Sequence, residues 1–253
     1  MDKYIAITGA SSGIGMAVAK AFAAHGFNLI LIARSTKLLE KLKGEVETKF
    51  GIKAVIKTAD LSHTDEVYRV YSELSEYYIS AWINNAGFGD YSSVAEQDLQ
   101  KAEQLIAVDV TALMVFSTLY VRDYRNENAQ LINISSAGGY TIVPNAVTYC
   151  AAKFFVSAFT EGLARELAEN HCVLKAKVLA PAATKTNFGK TASNSEEYDY
   201  NAHFSHYHTS EEMAEFLLQL YYGSSFVGKV DRETFQFELC EPIFPYSEQK
   251  LRE

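Results

Sequence analysis

Apolar runs of strand length alternate with segments of helical period along most of this 253-residue chain, and that alternation constrains the fold more than any other feature. Residues 28–33 (NLILIA) read as a buried strand. Leu38, Leu39, Leu42 and Val46 then recur at helical spacing, with Ser35 or Thr36 as the candidate N-cap. Further strands are expected at residues 4–7, 52–58, 80–84, 130–135 and 173–180. Helices are expected at 16–24, 64–77, roughly 98–125 and 149–169, the last with an apolar face of Phe154, Phe155, Ala158, Phe159, Leu163 and Leu167. A β-α-β-α order calls for a parallel sheet covered by helices on both faces. Right-handed crossovers then make it a three-layer, doubly wound α/β sheet. No repeat or linker-like stretch divides the chain, so one domain is expected over 1–253.

In such sheets ligands bind at the carboxyl ends of the strands. The first strand is followed by Gly9-Ala10-Ser11-Ser12-Gly13-Ile14-Gly15 and then a helical pattern. Glycines allow a tight turn and a close backbone approach to an anion, and the helix N-terminus offers free N–H groups and the positive end of a dipole. The spacing, Gly-x3-Gly-x-Gly, differs from the Gly-x-Gly-x2-Gly of the common dinucleotide fingerprint.

Composition narrows the partners. Apolar residues make up 48%, enough for a sizeable core, and the net charge is −8. An acidic chain without a basic stripe argues against nucleic acid and against anionic membrane surfaces. No apolar run looks long enough to span a bilayer, and no signal peptide is read at the start. Cys150, Cys172 and Cys240 lie far apart with no Cys-x2-Cys spacing, as in reduced thiols of a cytoplasmic protein. His203, His206 and His208 with Asp199 have the makings of a metal set, but polar surface residues are the simpler reading, and no metal is expected. Asn133-Ile134-Ser135 spells a glycosylation sequon at the end of a buried strand and is set aside.

The glycine turn, Tyr149-Cys150-Ala151-Ala152-Lys153 with its Tyr-x3-Lys pair, Asn84-Asn85-Ala86-Gly87, Ser135-Ser136 and the stretch 181–186 occur in the order found in the short-chain dehydrogenase/reductase superfamily. The chain resembles the single-domain subgroup of that superfamily from residue 8 to residue 186. The resemblance implies a Rossmann fold with residues 1–135 mainly cofactor-binding and 136–186 catalytic. Residues 187–222 would form a substrate lid and helix, with Thr209 or Ser210 as the cap of the latter. Residues 223–253 would hold a last strand near 234–239 and a tail.

The resemblance also implies a nicotinamide cofactor touched by Gly9, Ser11, Ser12, Gly13, Ile14, Gly15, Asp60, Leu61, Asn85, Ala86, Gly87, Pro181, Thr184 and Thr186, with Asn84 as a structural residue. After the second strand an acid would bind a ribose 2′-OH and repel a 2′-phosphate. Here Arg34 and Ser35 stand instead, so NADP(H) is expected over NAD(H). Tyr149 and Lys153 share a helix face. A nearby ammonium favours a phenolate. Tyr149 would exchange a proton with a carbonyl or alcohol oxygen, Ser136 would position that oxygen, and Lys153 would also hold the nicotinamide ribose.

Two positions depart from the family pattern. Asp109 stands where the family has an asparagine that holds a relay water; the relay is expected to survive with an altered pH dependence. Pro181-Ala182 replaces Pro-Gly, which would strain Ala182 if positive φ were needed. The expected activity is carbonyl reduction or its reverse on a small molecule. The alternative is a non-catalytic NADP(H)-binding regulator on the same fold, which would be expected to lack an intact Tyr-Lys pair. The family's habit of associating through its two long helices points to a homodimer or homotetramer, with Phe154, Phe155, Phe159, Val115, Phe116 and Leu119 as either interface or core.

Overall fold

A computed structural model describes residues 2–247. Its centre is an eight-stranded sheet. The strands are β1 (Lys3–Thr8), β2 (Asn28–Ala33), β3 (Ala54–Thr58), β4 (Tyr78–Asn84), β5 (Gln130–Ile134), β6 (Lys175–Ala180), β9 (Val227–Val230) and β10 (Phe237–Cys240). Their spatial order is β10-β9-β6-β5-β4-β1-β2-β3, parallel throughout except for the β9–β10 pair. The order reverses between β1 and β4, and that switch point sets the ligand crevice at the carboxyl ends of the two strands.

The inner strands are apolar on both faces because helices cover both. One layer packs α1 (Gly13–Ala24), α2 (Thr36–Phe50) and α9 (Ser210–Tyr222) over Ile5, Ile7, Leu29 and Leu31. The other packs α3 (Thr64–Ser72) and α5 (Leu113–Tyr124) around Trp82, which Phe116 and Tyr120 flank. Ser35 caps α2 through Leu38 N–H, and Gly51 in the left-handed region closes it. Thr209 and Glu212 form a reciprocal capping box on α9.

The long helix expected at 98–125 is three segments. α4 (Leu99–Ile106) is capped by Asp98, a π-helical stretch (Ala107–Ala112) follows, and α5 completes it. By length and composition this run is apolar enough to cross a membrane, which corrects the sequence expectation. Its buried residues include Leu105, Asp109, Phe116 and Tyr120, and it serves as a core helix between β4 and α6 (Val147–Glu169).

Other differences have local causes. α3 ends at Ser72 rather than Tyr77, because tight turns at Leu74 and Tyr77 bring the Tyr77 ring edge-on to Tyr4. The glycine-containing β9 breaks the expected pattern and was not anticipated. The expected apolar face of α6 is mostly half-exposed. The buried side instead carries Tyr149, Lys153, Ser157, Thr160 and Glu161, because the network behind the site needs polar groups there. Val115 and Phe116 are core residues, not surface. Asn133 is fully buried and donates to Thr160 Oγ1 at 2.9 Å.

Glu161 is buried and accepts three hydrogen bonds. One comes from Tyr140, 2.6 Å away in the loop after β5, and two come from the backbone N–H groups of Ile243 and Phe244. Tyr140 and Phe244 stack with centroids 5.5 Å apart. The segment after β10 is thereby strapped along α6. The expected tail beyond residue 247 lies outside the described residues.

Candidate active site

The first strand ends in a turn that excludes side chains. Gly9 and Gly13 have φ of +67° and +55°. A Cβ on Gly15 would lie 2.4 Å from both Gly9 O and Asn85 Nδ2. Asn85 closes this cradle by donating from Nδ2 to Thr8 O at 2.9 Å, while Thr8 Oγ1 accepts from the N–H groups of Asn85 and Ala86. Ser12 precedes α1 in extended conformation and its hydroxyl does not cap the helix. Ser11, Ser12 and Ile14 therefore border a helix N-terminus suited to an anion. Thr186 packs against Gly13, where a Cβ would stand 3.3 Å from its methyl.

At the end of β2, Arg34 is exposed. Asp60 lies at the neighbouring strand end. The Ser62 N–H holds its carboxyl below the usual range, with smaller help from the Ser62 hydroxyl and Arg34. Ser35 spends its hydroxyl on the helix cap, and Leu61 is buried. Asn84 is structural: it accepts from Trp82 Nε1 and donates to Ser117 and Asn133.

Ser136, Tyr149, Lys153 and Asp109 converge at the end of β5. Ser136 begins a 3-10 turn (Ala137–Gly139), and its Oγ accepts the Gly138 N–H at 3.0 Å. Tyr149 is 8% exposed, and its ring and the Ser136 hydroxyl both border Gly138, where a Cβ would stand 3.6 Å and 3.4 Å from them. Burial pushes the Tyr149 phenol well above its ordinary pKa; the hydrogen bond from Ser136 pulls it down, and Asp109 pushes it up again. Lys153, 5% exposed, donates to Ile134 O at 3.2 Å, and its Nζ lies 2.9 Å from Asp109 Oδ2 and 5.8 Å from the Tyr149 ring centre. Asp109 is fully buried and accepts the Phe88 N–H at 3.0 Å. Gly87 is required by this carboxylate: a Cβ there would stand 2.6 Å from Oδ2.

Residues 3–197 match the family model described as short chain dehydrogenase. The chain belongs to that family. A curated relative, dehydrogenase/reductase SDR family member 11 of Gallus gallus, is 32% identical over 190 residues, 72% of this chain and 74% of the relative. Among solved structures, a short-chain dehydrogenase from Sphingobium yanoikuyae in complex with NADPH superposes with a TM-score of 0.81 at 27% identity, covering 90% of this chain and 87% of that one. A short chain dehydrogenase/reductase from Burkholderia phymatum in complex with NAD shares the fold at 21% identity and TM-score 0.80, covering 89% and 88%. The protein is thus an oxidoreductase of the short-chain dehydrogenase type, on the Rossmann fold its sequence implied.

Against that family pattern, Ala182 is unstrained: the non-glycine residues with positive φ are Asn145, His171, Asn194 and Phe235 among the described residues. Pro181 O accepts the Ala137 N–H, and Thr184 is buried with its hydroxyl on Ala182 O. The stretch 187–222, expected as a lid and helix, forms α7 (Phe188–Ser193), α8 (Tyr200–His203), β8 (His208–Thr209) and α9, and β8 pairs in parallel with β7 (Thr184–Lys185) just before it. His203 stacks on Tyr198, His206 faces Phe235 and His208 faces Phe216, and no group of three or more metal-ligating side chains converges among the described residues.

Sequence reasoning missed what roofs the site. Phe188 lies over Tyr149 with ring centres 5.4 Å apart and touches Gly89, where a Cβ would meet it at 2.5 Å. Leu105, Phe88, Val110 and Val143 complete an apolar wall. Asp90, buried, accepts from Ser92, Gln97 and Lys101, while Lys101 also donates to Thr191 O and Tyr91 N–H to Ala192 O. This clasp fastens α7 to the loop after β4. Its one sequence trace is an acid eleven residues before a lysine, which no periodicity marks.

Proposed function

We propose that the protein is an NADP(H)-dependent carbonyl reductase acting on a small, uncharged ketone or aldehyde. The observation that carries this reading is the convergence of Ser136, Tyr149 and Lys153 in a buried, apolar-walled site beside the glycine cradle. The cradle fits a dinucleotide, since its glycines leave the space a pyrophosphate needs and α1 aims its N-terminus there. When bound, such a cofactor supplies the hydride that adds to the carbonyl carbon. Ser136 would hold the carbonyl oxygen and Tyr149 would give it a proton. Thr184, Thr186 and Lys153 line the side where the nicotinamide and its ribose would rest.

Arg34 supports the choice of NADP(H). It is an exposed cation with no ion pair among the described residues, at the strand end where an NAD-binding site carries an acid, and a guanidinium suits a 2′-phosphate. We expect association through α5 and α6, where Phe155 and Phe159 stack half-exposed, Met114 is exposed and Gly162 faces open space. Light scattering of Phe159→Glu against wild type tests this: a smaller species supports it, and an unchanged mass refutes it.

The deciding experiment is dinucleotide oxidation with a panel of aldehydes, ketones and diketones, with NADPH and NADH in parallel. The expected result is turnover with NADPH, lost in Tyr149→Phe, and a preference for NADPH that Arg34→Ala reduces by about tenfold or more, the worth of a charge-assisted contact. Equal use of both cofactors by wild type would overturn the NADP(H) assignment. Binding without turnover on any carbonyl would overturn the reductase reading.

A further inference from the structure

The ammonium of Lys153 is already spoken for. It lies 2.9 Å from Asp109 Oδ2 and donates its bond at 3.2 Å to Ile134 O. The carboxylate is held by construction. A π-helical turn places Asp109 in the interior, Gly87 leaves it room, and the Phe88 N–H anchors Oδ1. Oδ2 receives no aligned hydrogen bond among the described residues, so its tie to Lys153 is chiefly one of charge. An asparagine in this place would leave a net positive charge beside Tyr149. The aspartate leaves a pair of net charge zero.

We propose that Asp109 is a positioning residue that pairs with Lys153, withholds its charge from Tyr149, and so keeps Tyr149 in the proton-donating form that suits carbonyl reduction over alcohol oxidation. This rests on the reductase reading above. In the reductive step the hydride adds to carbon, the carbonyl π pair moves onto oxygen, and the Tyr149 O–H breaks to protonate that oxygen, leaving a phenolate that solvent reprotonates. In the oxidative direction the phenolate must be present first.

The charged and titratable groups facing Tyr149 are few. They are Asp109 from the π-helical turn, Lys153 and Cys150 from its own helix, and Tyr91 from the loop after β4. Burial dominates the upward push on the phenol, and Asp109 adds to it. Burial also pushes the Asp109 carboxyl up, while Lys153 and the Phe88 N–H pull it back. Among the described residues, Lys153 is the cation placed at the Tyr149 ring, its Nζ 5.8 Å from the centre.

The test is Asp109→Asn, which keeps the shape and removes the charge. Tyr149 is followed by NMR of protein carrying 13Cζ-labelled tyrosine, its signal assigned by its absence in Tyr149→Phe. The pH dependence of both reaction directions is measured alongside. In wild type the signal is expected to remain that of the phenol over the pH range in which the protein stays folded. In Asp109→Asn the phenolate is expected at a pH lower by about one to two units, the usual effect of one uncompensated neighbouring charge. The alkaline fall of reduction and the rise of oxidation should move down with it. A Tyr149 signal in Asp109→Asn that titrates as wild type does, or stays phenolic throughout, overturns the proposal.

Should the unpaired lysine prevent folding, the double variant Asp109→Asn with Lys153→Met decides. Removing a pair of zero net charge should leave the Tyr149 titration where it was, and an upward or downward shift overturns the proposal. Absence of turnover on every carbonyl would refute the reductase reading, while the NMR titration would still decide whether the pair masks Lys153.

Discussion

The glycine cradle after β1 and the side chains that roof Tyr149 are built on different principles. The cradle is backbone: positive φ at Gly9 and Gly13, and a Gly15 that cannot carry a Cβ. The lid is side chains: Phe188 on Tyr149, Tyr91 beside Phe188, and the Asp90–Lys101 clasp. A surface made by excluding atoms has few chemical solutions, whereas many residues of similar bulk make a ring-lined roof. The first suits a cofactor common to a whole family, and the second suits a substrate peculiar to one member.

Tyr149 lies under the roof, its ring centre 5.4 Å from that of Phe188, and offers the hardest test of the separation. Tyr149→Phe should lower turnover by about 10²- to 10⁴-fold, the usual worth of a positioned acid. NADPH affinity, measured by fluorescence titration, should stay the same. A parallel loss of affinity would show that the two sides are not independent.

Gly15→Ala should break the cradle alone. Its Cβ meets a backbone oxygen, so the cost is overpacking of about 1–3 kcal/mol and at least a tenfold loss of NADPH affinity. Isothermal titration should show that loss, and an unaltered affinity would mean that the turn yields easily.

Phe188→Ala should alter the lid alone. Removing a ring over the phenol should raise kcat/KM for bulky ketones relative to small ones by about tenfold, with NADPH affinity unchanged. An unaltered preference would remove Phe188 from the substrate's path.

The smallest effect is expected at the clasp. Burial raises the Asp90 carboxyl, but Gln97, Lys101 and Ser92 together bring it below the ordinary value. Its stabilising contribution is therefore full above the unfolded value of about 3.9 and fades as pH falls through the lower folded value. Asp90→Asn should cost about 1 kcal/mol at neutral pH, and the gap in Tm from wild type, roughly 2–4 °C, should close in acid. A gap that persists unchanged at low pH would show that the carboxylate's charge is not what holds the clasp.

The same contrast explains what was legible in the sequence. The parallel strands announced themselves because burial on both faces demands runs such as Leu29-Ile30-Leu31-Ile32. The cradle was legible because only glycine satisfies it. Ser136, Tyr149 and Lys153 stood out through their fixed spacing, and they do converge. Phe188 and Tyr91 did not stand out, since Tyr91 lies in a loop and Phe188 opens a six-residue helix too short to show a period. The stripe read along α6 misled because the helix turns Ser157 and Thr160 inward to serve Ser135 and Asn133, and Lys153 inward to pair with Asp109. The Asp109–Lys153 contact required the π-helical turn, a backbone detail that the apolar pattern of residues 98–125 does not encode.

The strap along α6 adds an order in time. Ile243 and Phe244 leave the ribosome after every residue of the site, yet Glu161 joins them to Tyr140 in the loop that follows Ser136. The glycine turn is synthesised early, but the α1 that follows it is covered by α9, which emerges late. The wall beside Ser136 gains its last support only from the trailing segment. Cradle and wall alike are therefore complete only once the later segments of the chain have emerged.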